Sequence, residues 1–415
     1  MEGNKFNKGI VILPYQMKIV HIMGYFVPEL GYQEYYLAKK HKEMGHDVYV
    51  IASDMLYPFP NIESMLRESG IKDTSRKRKA GFSVVDGIKV YRLPHSIEYS
   101  DFILVKGLKK TLENIRPDVV FAHESRQATP ALAAFYKKKI GYRLVVDQHD
   151  FYHRIPSYPL WKRLARFLDY FIIRKFIVNY SLGKADCIVA VTEETKRFLA
   201  KTHKIEPKKI SLIPLGVDTD FFKFDSEARK RIRKALKLNE NDAAFVFSGT
   251  IVRRKGLELL IDALSEIKSK NAKLIIVGGG DKSYMEELKN LGKKLGNRII
   301  FTGFVRRNEI RDFFSAADIG VWPGNNSVSI MEAMACKLPI IMADMQLSHL
   351  VGYGNGFKFG QNDKKGLKIC MEKLIMYPKL RKEMGKKSYR EIIKDYSYGK
   401  LAKKFLQIAG QDCNN

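Results

Sequence analysis

Short apolar runs alternate along the chain with longer segments in which apolar residues recur at helical spacing. A first series of runs begins with residues 18–24 (KIVHIMG) and 47–53 (DVYVIAS) and continues through DVVFAH, RLVVDQH and CIVAVT. A second series starts near Ala243 and comprises AAFVFSGT, KLIIVGGG, RIIFTGF, DIGVWP and LPIIMAD. Buried strands that alternate with helices predict parallel sheets covered on both faces. The segment VVDGIKVYRL instead predicts a hairpin that turns at Asp86 and Gly87.

The two series predict an α/β chain of two doubly wound domains, joined near the segment SLIPLGVDTDFF. We expect an N-terminal extension over residues 1–16, a first domain over 17–215 and a second domain over 216–395. Residues 396–415 are expected to form a C-terminal helix and tail that packs back towards the first domain. Ligands of open α/β sheets bind beyond the carboxyl ends of the strands. The functional residues are therefore expected in loops that follow strands, at a cleft between the domains.

Composition indicates a globular protein, since 45% of the 415 residues are apolar and 28% are charged. The four cysteines lie far apart without a C-x-x-C pair, which argues against a disulfide framework and a structural zinc site and favours a cytoplasmic location. The sequence has no run of eighteen apolar residues, so no membrane-spanning helix is predicted. The formal net charge of +28 indicates either a polyanionic partner or simply a lysine-rich surface.

A cationic loop follows the first strand of the second series. In the segment SGTIVRRKGLELLIDAL, Gly249 ends the strand, and Arg253, Arg254 and Lys255 precede a helix. Side-chain cations and free backbone N–H groups converge at such a helix N-terminus, which fits a diphosphate. The alternative interpretation is a solvated basic loop without a ligand.

A second candidate lies in the segment SVSIMEAMACKLPII, where Ser327, Val328 and Ser329 are expected to open a helix. Their backbone N–H groups are expected to face a phosphate. Glu332, one turn further on, is suited to accept two hydrogen bonds from a ribose diol. The alternative is a glutamate that only complements the helix dipole.

The ordered set of these segments resembles the retaining glycosyltransferases of family 4, and the resemblance covers about residues 17–410. The second half contributes the segments above together with LIIVGGG, IIFTGFV, AADIGVWP and NGFKFGQND. The first half contributes YFVPELGYQEYYLAKKHKEMGHDVYVIAS, DGIKVYRLP, RPDVVFAH, VVDQHD, ADCIVAVTEETKRFL and ISLIPLGVDTDFF. The resemblance implies the GT-B fold, in which two Rossmann-like domains face a central cleft. It places a nucleotide sugar on the C-terminal domain and the acceptor mainly on the N-terminal domain.

The resemblance also assigns roles to individual residues. Lys255 matches the family lysine that binds the donor diphosphate, and His149 of VVDQHD matches the histidine that faces the reacting sugar; we expect both to be catalytic. Glu332 matches the second glutamate of the E-x7-E motif, which holds the nucleotide ribose. Gly31 matches one glycine of a pair at which the backbone approaches the diphosphate.

Three positions depart from the family pattern. Gly324 replaces the first glutamate of E-x7-E, a residue that touches the donor sugar, so the donor sugar is left open. Thr250 replaces an arginine whose charge either Arg253 or Arg254 could supply. Tyr32 replaces the second glycine of the N-terminal pair and is expected to reshape that loop. An inactive protein that binds sugar nucleotides is therefore one alternative.

Metal and cofactor motifs are weak in this sequence. Asp218 and Asp220 resemble the metal-binding D-x-D of the other glycosyltransferase fold, but they lie in the GVDTDFF segment, so neither a metal ion nor another cofactor is expected. The three glycines at 278–280 lack the G-x-G-x-x-G spacing of a dinucleotide loop.

The basic charge has two candidate surfaces, SRKRKAG and the aromatic-basic stretch over residues 160–184. The stretch is interpreted either as a core-packed helix or as an interfacial helix on anionic lipid, with Arg163, Arg166, Arg174 and Lys175 near the headgroups. Nucleic acid is a disfavoured partner, because no helix-turn-helix, ribonucleoprotein or zinc-finger pattern accompanies the charge. We therefore expect a cytoplasmic, metal-independent transferase, peripheral on the membrane, that uses a nucleotide diphosphate sugar and a lipid-linked or glycan acceptor.

Overall fold

The structure is a computed structural model that describes residues 16–59, 62–68, 70–149, 174–325, 327–345 and 347–411. The chain divides into two compact units. The first comprises Met1–Arg67, Ile71–Leu215 and Tyr398–Asn415, and the second comprises Glu68–Gly70 and Gly216–Ser397.

An eight-stranded sheet forms the centre of the first unit, and two further strands form a separate two-stranded sheet. The strands of this unit are β1 (Lys18–Ile22), β2 (Asp47–Ser53), β3 (Gly81–Val85), β4 (Ile88–Leu93), β5 (His95–Tyr99), β6 (Phe102–Val105), β7 (Val119–Ala122), β8 (Arg143–Gln148), β9 (Cys187–Ala190) and β10 (Ile210–Leu212). The sheet order is β10-β9-β8-β7-β1-β2-β4-β3, and β5 pairs with β6. Strand β3 runs antiparallel to β4, and the other pairs of the large sheet are parallel.

A six-stranded parallel sheet forms the centre of the second unit. Its strands are β11 (Ala243–Ser248), β12 (Ala272–Val277), β13 (Ile299–Gly303), β14 (Ile319–Trp322), β15 (Ile340–Ala343) and β16 (Gly356–Phe359). They stand in the order β13-β12-β11-β14-β15-β16. Every residue of β11 and β12 is buried, as expected for strands with helices on both faces. The prediction of parallel, doubly covered sheets is confirmed.

Helices connect the strands. They are α1 (Gln33–Glu43), α2 (Ile62–Glu68), α3 (Leu108–Ile115), α4 (Ala128–Ile140), α5 (Lys175–Lys184), α6 (Glu193–Thr202), α7 (Ser226–Ala235), α8 (Leu257–Ser265), α9 (Lys282–Gly292), α10 (Arg307–Ala316), α11 (Ser329–Ala335), α12 (Lys364–Met376), α13 (Pro378–Glu391) and α14 (Tyr398–Ala409). Helix α14 belongs to the first unit, where Tyr398 stacks on Tyr36 with ring centroids 4.7 Å apart and Phe405 meets Phe121 edge to face at 5.6 Å. Within the described part of the chain, no helix is long and apolar enough to cross a membrane.

One local prediction has a clear outcome. The hairpin of β3 and β4 is confirmed, and its turn residues Asp86 and Gly87 take φ angles of 48° and 76°. Cys336 and Cys370 are free cysteines.

The strand order creates one switch point in each sheet. In the first unit β1 lies between β7 and β2, and in the second unit β11 lies between β12 and β14. At such a point neighbouring connections leave in opposite directions, and a crevice opens at the carboxyl ends of the strands. The loops after β1, β7, β11 and β14 carry most of the candidate residues.

Candidate functional site

The loop after β11 forms the cationic part of the site. It leaves the strand at Gly249, passes exposed Thr250, and turns through a short 3₁₀ segment, Arg253–Lys255, before α8 begins. The neighbouring glycine-rich loop after β12 holds it in place. Gly249 N donates to Val277 O at 3.1 Å, and Ile251 N donates to Gly279 O at 2.8 Å.

Lys255 is the only buried cation of this loop, with 5% of the residue exposed. Its Nζ donates to the backbone carbonyl of Asn325 at 2.7 Å, so the loops after β11 and β14 are joined through this ammonium. Burial, together with the nearby charge of Arg254, lowers the pKa of Lys255 to about 8. One neutral partner compensates the buried charge incompletely, and an anion bound beside it would stabilise the protonated form.

The two arginines of the loop differ in their contacts. Arg253 contacts two residues of α9. Its Nη2 donates to both carboxylate oxygens of Glu287 at 2.7 Å, and its guanidinium lies over the ring of Tyr284. Arg254 is exposed and has no salt bridge to a described acid. Of the two alternatives for the charge that Thr250 does not supply, Arg254 is therefore the one the geometry favours.

Gly324 permits the contact between these two loops. An added Cβ at this position would lie 2.6 Å from Arg254 O and 2.7 Å from Lys255 O, closer than a Cβ ever approaches a backbone oxygen. Asn325 N also donates to Arg254 O at 2.9 Å. Any side chain at 324 must therefore displace the loop that carries Lys255.

A hydroxyl network fixes the start of α11. Ser329 Oγ donates to Ser248 O at 2.8 Å, and Trp322 Nε1 lies 3.2 Å from the same hydroxyl. Ser327 Oγ stands 2.6 Å from Ser329 Oγ and donates to it, since the hydroxyl hydrogen of Ser329 is already used. The residue between them, Val328, caps α11. The structure thus brings Ser327–Ser329 against the end of β11, beside the cationic loop.

Glu332 is buried, with 4% exposed, and it is already paired. Arg307 of α10 donates to Glu332 Oε1 at 2.8 Å, and its guanidinium also lies over the ring of Phe222. Burial raises the pKa of Glu332, and the charge of Arg307 opposes this shift. A carboxylate has several acceptor positions, so the pairing with Arg307 leaves capacity for a ribose diol.

The loop after β1 contributes Gly31 in the first unit. Gly31 has a φ of 65°, a left-handed conformation that follows a short 3₁₀ turn and leads into α1. Tyr32, which replaces the second glycine of the family pair, is exposed and precedes the helix as its cap residue. The next residue, Gln33, is buried, and neither side-chain polar atom of Gln33 has a hydrogen-bond partner among the described residues.

His149 follows β8, and its side chain is 18% exposed. Its Nε2 lies 3.5 Å from Asp147 Oδ2 and its Nδ1 lies 3.8 Å from Glu124 Oε1. Burial disfavours the charged ring, but the charge of Asp147 outweighs it and raises the pKa of His149 to about 10. The imidazolium form therefore predominates at neutral pH.

Two further predictions concern residues away from these loops. Asp218 Oδ1 accepts from the backbone N–H groups of Asp220 and Phe221 at 3.2 and 3.4 Å, so this carboxylate supports a local turn.

Of the stretch over 160–184, residues 160–173 lie outside the described residues. Arg174 is 4% exposed and forms an ion pair with Asp101 at 2.7 Å. The expectation that Arg174 reaches a lipid surface is wrong, because Asp101 holds its guanidinium inside the first unit.

Several functional candidates were missed in the sequence. Arg307 and Glu124 carry no motif of their own, and they reach the site only through the fold. Asp147 was detectable, because residues two apart on a strand share a face and Asp147 precedes His149 by two.

Two solved structures share this architecture. The Anabaena protein HepE, in complex with UDP, aligns with a TM-score of 0.68 at 18% identity, over 94% of this chain and 98% of that one. WaaG, a glycosyltransferase involved in lipopolysaccharide biosynthesis, aligns with a TM-score of 0.61 at 15% identity, over 94% and 99%. At these identities the likeness establishes the fold, which is GT-B with two Rossmann-like domains.

Sequence comparisons then identify the family. The family model described as Glycosyltransferase Family 4 matches residues 33–221, and the model described as Glycosyl transferases group 1 matches residues 228–391. An uncharacterized glycosyltransferase of Methanocaldococcus jannaschii is 26% identical over 95% of this chain and 98% of its own. A GDP-mannose-dependent phosphatidylinositol monomannoside mannosyltransferase of Mycobacterium tuberculosis is 33% identical over 32% of this chain and 37% of its own. Because the two models together match most of the chain, the chain belongs to the group 1, family 4 glycosyltransferases.

Proposed function

We propose that this glycosyltransferase moves a sugar from a nucleotide diphosphate sugar to a hydroxyl of a lipid-linked or glycan acceptor, with retention of anomeric configuration and without a divalent metal. One observation carries the proposal. The buried ammonium of Lys255 stands at the switch point of the second sheet, beside the exposed Arg254, and has one neutral partner. A diphosphate supplies the negative charge that this ammonium lacks.

The same geometry supports catalysis without metal. Negative charge develops on the diphosphate as the bond to the sugar breaks, and fixed cations placed there stabilise the transition state more than the ground state. Lys255 and Arg254 provide two such cations from one loop. Glu332 would hold the ribose with the acceptor positions that Arg307 leaves open.

The protonation state of His149 supports retention. A general base must be unprotonated at working pH, and His149 carries its proton because of Asp147. We therefore assign the acceptor proton to the departing phosphate oxygen. The acceptor oxygen bonds to the anomeric carbon on the face that the phosphate leaves, and the phosphate takes the proton. His149 would donate a hydrogen bond to the transferred sugar.

Relatives support the substrate classes. The mycobacterial relative is named for GDP-mannose and a phosphatidylinositol monomannoside, and HepE is described with UDP, UDP plus glucose and UDP-glucose. We propose a UDP or GDP sugar as donor and a glycolipid as acceptor.

Thermal protection by nucleotides tests this function. UDP, GDP, ADP and their sugar conjugates are compared with DNA and RNA, and a ligand at one hundred times its Kd stabilises the native state by about 2.7 kcal/mol. Protection by one nucleotide diphosphate supports the transferase, whereas protection by nucleic acid alone contradicts it.

EDTA should leave transfer intact; loss of turnover that Mn²⁺ restores would refute metal independence. The anomeric configuration of the product, read by NMR, decides retention.

Lys255→Ala tests the assignment of the diphosphate. We expect kcat/KM to fall by an amount equivalent to about 2–4 kcal/mol, because a preorganised cation is removed from the developing charge. Lys270→Ala, at an exposed lysine of the same unit, is the matched control and should keep normal turnover. Normal turnover of Lys255→Ala would remove this residue from the site.

A further inference from the structure

A row of three buried imidazoles crosses the first unit, from helix α14 to the carboxylate beside His149. His21 lies on β1, His41 lies on α1 and His123 follows β7, and all three are fully buried. The proposed chemistry does not use any of them. Burying three ionisable rings in an apolar core is costly unless they are hydrogen-bonded, so their contacts need an explanation.

The contacts form one continuous chain. His41 Nε2 lies 3.1 Å from Ala402 O, and His21 Nε2 lies 3.1 Å from His41 Nδ1. His21 Nδ1 lies 2.9 Å from His123 Nε2, and His123 Nδ1 lies 2.6 Å from Asp147 Oδ2. The ring of His21 stacks on the rings of His41 and His123 with centroids 5.2 Å apart in both cases.

The carbonyl at one end fixes the direction of every hydrogen bond. Ala402 O can only accept, so the hydrogen of His41 is on Nε2, and a neutral His41 must accept at Nδ1. His21 therefore donates from Nε2 and accepts at Nδ1, which requires His123 to donate from Nε2. A neutral His123 would then turn an unprotonated Nδ1 towards a carboxylate oxygen 2.6 Å away. Two acceptors cannot face each other at this distance, so one additional proton lies in this pair.

The electrostatic surroundings place that proton on His123. Burial and the neighbouring rings lower the pKa values of His21 and His41, the latter to about 3, so both are neutral at pH 7. Burial disfavours a charged His123, but the charge and hydrogen bond of Asp147 outweigh burial and raise its pKa. The pKa of Asp147 is lowered in turn by His123 and His149 against the effect of burial. The pair is thus an imidazolium with a carboxylate.

Three further titratable groups face the row or its end. Glu34 of α1 favours the charged forms of both His123 and His149, and Glu124 favours the charged form of His149. His46 disfavours a charged His41. The charges of these groups therefore favour a neutral His41 near α14 and a protonated His123 beside Asp147.

We propose that His21, His41 and His123 are positioning residues for His149. Ala402 O imposes the direction of the hydrogen bonds along the row, and this direction keeps a proton on His123. Asp147 is thereby held as a carboxylate that His123 shares with His149. The role given to His149 rests on the proposed function, but the charge state of the row does not. Asp147 Oδ2 then attracts the His149 ring as an ion pair at 3.5 Å from Nε2, an atom without a hydrogen-bond partner among the described residues. The cation at His123 limits how strongly Asp147 raises the pKa of His149.

The first test needs neither a variant nor a substrate. In protein labelled with ¹⁵N-histidine, NMR at pH 7 should show His21 and His41 neutral and protonated at Nε2, and His123 protonated at both nitrogens. A neutral His123, or a His41 protonated at Nδ1, overturns the proposal. Because no donor is present, this outcome is separate from the fate of the transferase assignment.

The second test removes the directional constraint. His41→Leu keeps apolar volume but removes the acceptor for His21, so His21 can reverse and donate from Nδ1 to a neutral His123. His149 is then the only cation at Asp147, and since both rings lie within 3.5 Å of Asp147 Oδ2, its pKa should rise by about one pH unit. We expect kcat to fall on the order of tenfold, as when groups that orient a functional side chain are removed.

The matched control is His203→Gln, at a buried histidine whose ring nitrogen contacts Asn179 at 2.7 Å and which is outside the row. It should leave the His149 titration and kcat unchanged. An unchanged His149 titration in folded His41→Leu overturns the proposal, and if that variant does not fold, the wild-type spectrum decides. If the spectrum is as expected but no nucleotide sugar is ever used, the proposed function fails and the charge state of the row stands.

Discussion

Lys255 is a buried ammonium that is costly for stability, and its proposed role is to bind the donor diphosphate. Its pKa in the folded protein, about 8, lies below the ordinary value of 10.5 in the unfolded chain. Between these two values the unfolded state binds more protons, so stability rises as pH rises from 8 towards 10.5. At pH 7 the buried ammonium therefore destabilises the fold, by about 3 kcal/mol if the whole shift is counted.

Lys255→Met should therefore raise stability and lower activity. At pH 7 we expect an increase of up to about 3 kcal/mol in the free energy of unfolding, measured by urea denaturation, and the gain should vanish above pH 10.5. Lys270→Met is the exposed control and should change little. A less stable Lys255→Met would mean that the hydrogen bond to Asn325 outweighs the desolvation of the ammonium.

The same pKa predicts the pH dependence of nucleotide binding. Only the protonated amine attracts a diphosphate strongly, so affinity for the nucleotide found by thermal protection should fall up to about tenfold per unit above pH 8. Calorimetric Kd values from pH 7 to 10 provide the measurement. Lys255→Met should lack this alkaline limb, and an identical limb in both proteins would assign it to another group.

The close contact between the loops after β11 and β14 requires glycine at position 324, and this requirement can be tested. Gly324→Ala introduces a Cβ 2.6 Å from Arg254 O, so the loop that carries Lys255 must move. We expect a loss of about 1–3 kcal/mol in stability, as for other overpacked sites, together with weaker nucleotide binding. Gly352→Ala is the control, because its nearest contact is an ordinary 3.5 Å. Unchanged nucleotide affinity in Gly324→Ala would show that the loop contact is not needed.

At the scale of elements, the sequence predicts where individual strands lie but not how they are ordered in a sheet. Apolar runs located β1, β2 and β11 and the hairpin of β3 and β4, because burial and turn chemistry are local properties. Strand order is not local. Only the structure shows that β7 and β8 are parallel neighbours, which brings Glu124 and His149 to the same edge of the sheet. Arg307 was missed for this reason, since nothing near Glu332 in the sequence indicates helix α10.

Helix α14 is tied to the first unit by aromatic contacts that can be tested. Phe405 is 1% exposed and meets Phe121, so Phe405→Ala should cost about 3–5 kcal/mol through lost burial and the cavity left behind. Lys403→Ala, on the exposed side of the same helix, should cost less than about 0.5 kcal/mol. The measurement is urea unfolding of the full chain. Equal stability of the two variants would show that α14 is not part of this core.

At the scale of the whole molecule, the charge of +28 is the property that the fold explains least. The cationic loop accounts for three of the basic residues, and Arg174 is neutralised by Asp101 inside the first unit. Most lysines and arginines therefore remain for the surface, where they attract anions whatever the enzyme transfers. Their pattern follows composition rather than any one motif, which is why sequence alone left a membrane, a nucleic acid and a plain lysine-rich surface as alternatives.

Binding to anionic vesicles tests the membrane interpretation. We expect sedimentation with phosphatidylserine vesicles but not with neutral vesicles, and release as salt is raised, because each cation near such a surface contributes roughly 1 kcal/mol. Neutralising Arg163, Arg166 and Lys175 together should weaken binding on the order of one hundredfold. Arg174 is left unchanged, since its removal would leave Asp101 with one partner fewer.

The control neutralises three exposed lysines of the second unit, Lys268, Lys270 and Lys293, at equal net charge. An equal loss in both variants would assign binding to total charge, and no preference for anionic vesicles would contradict membrane association while leaving the glycosyltransferase family unaffected.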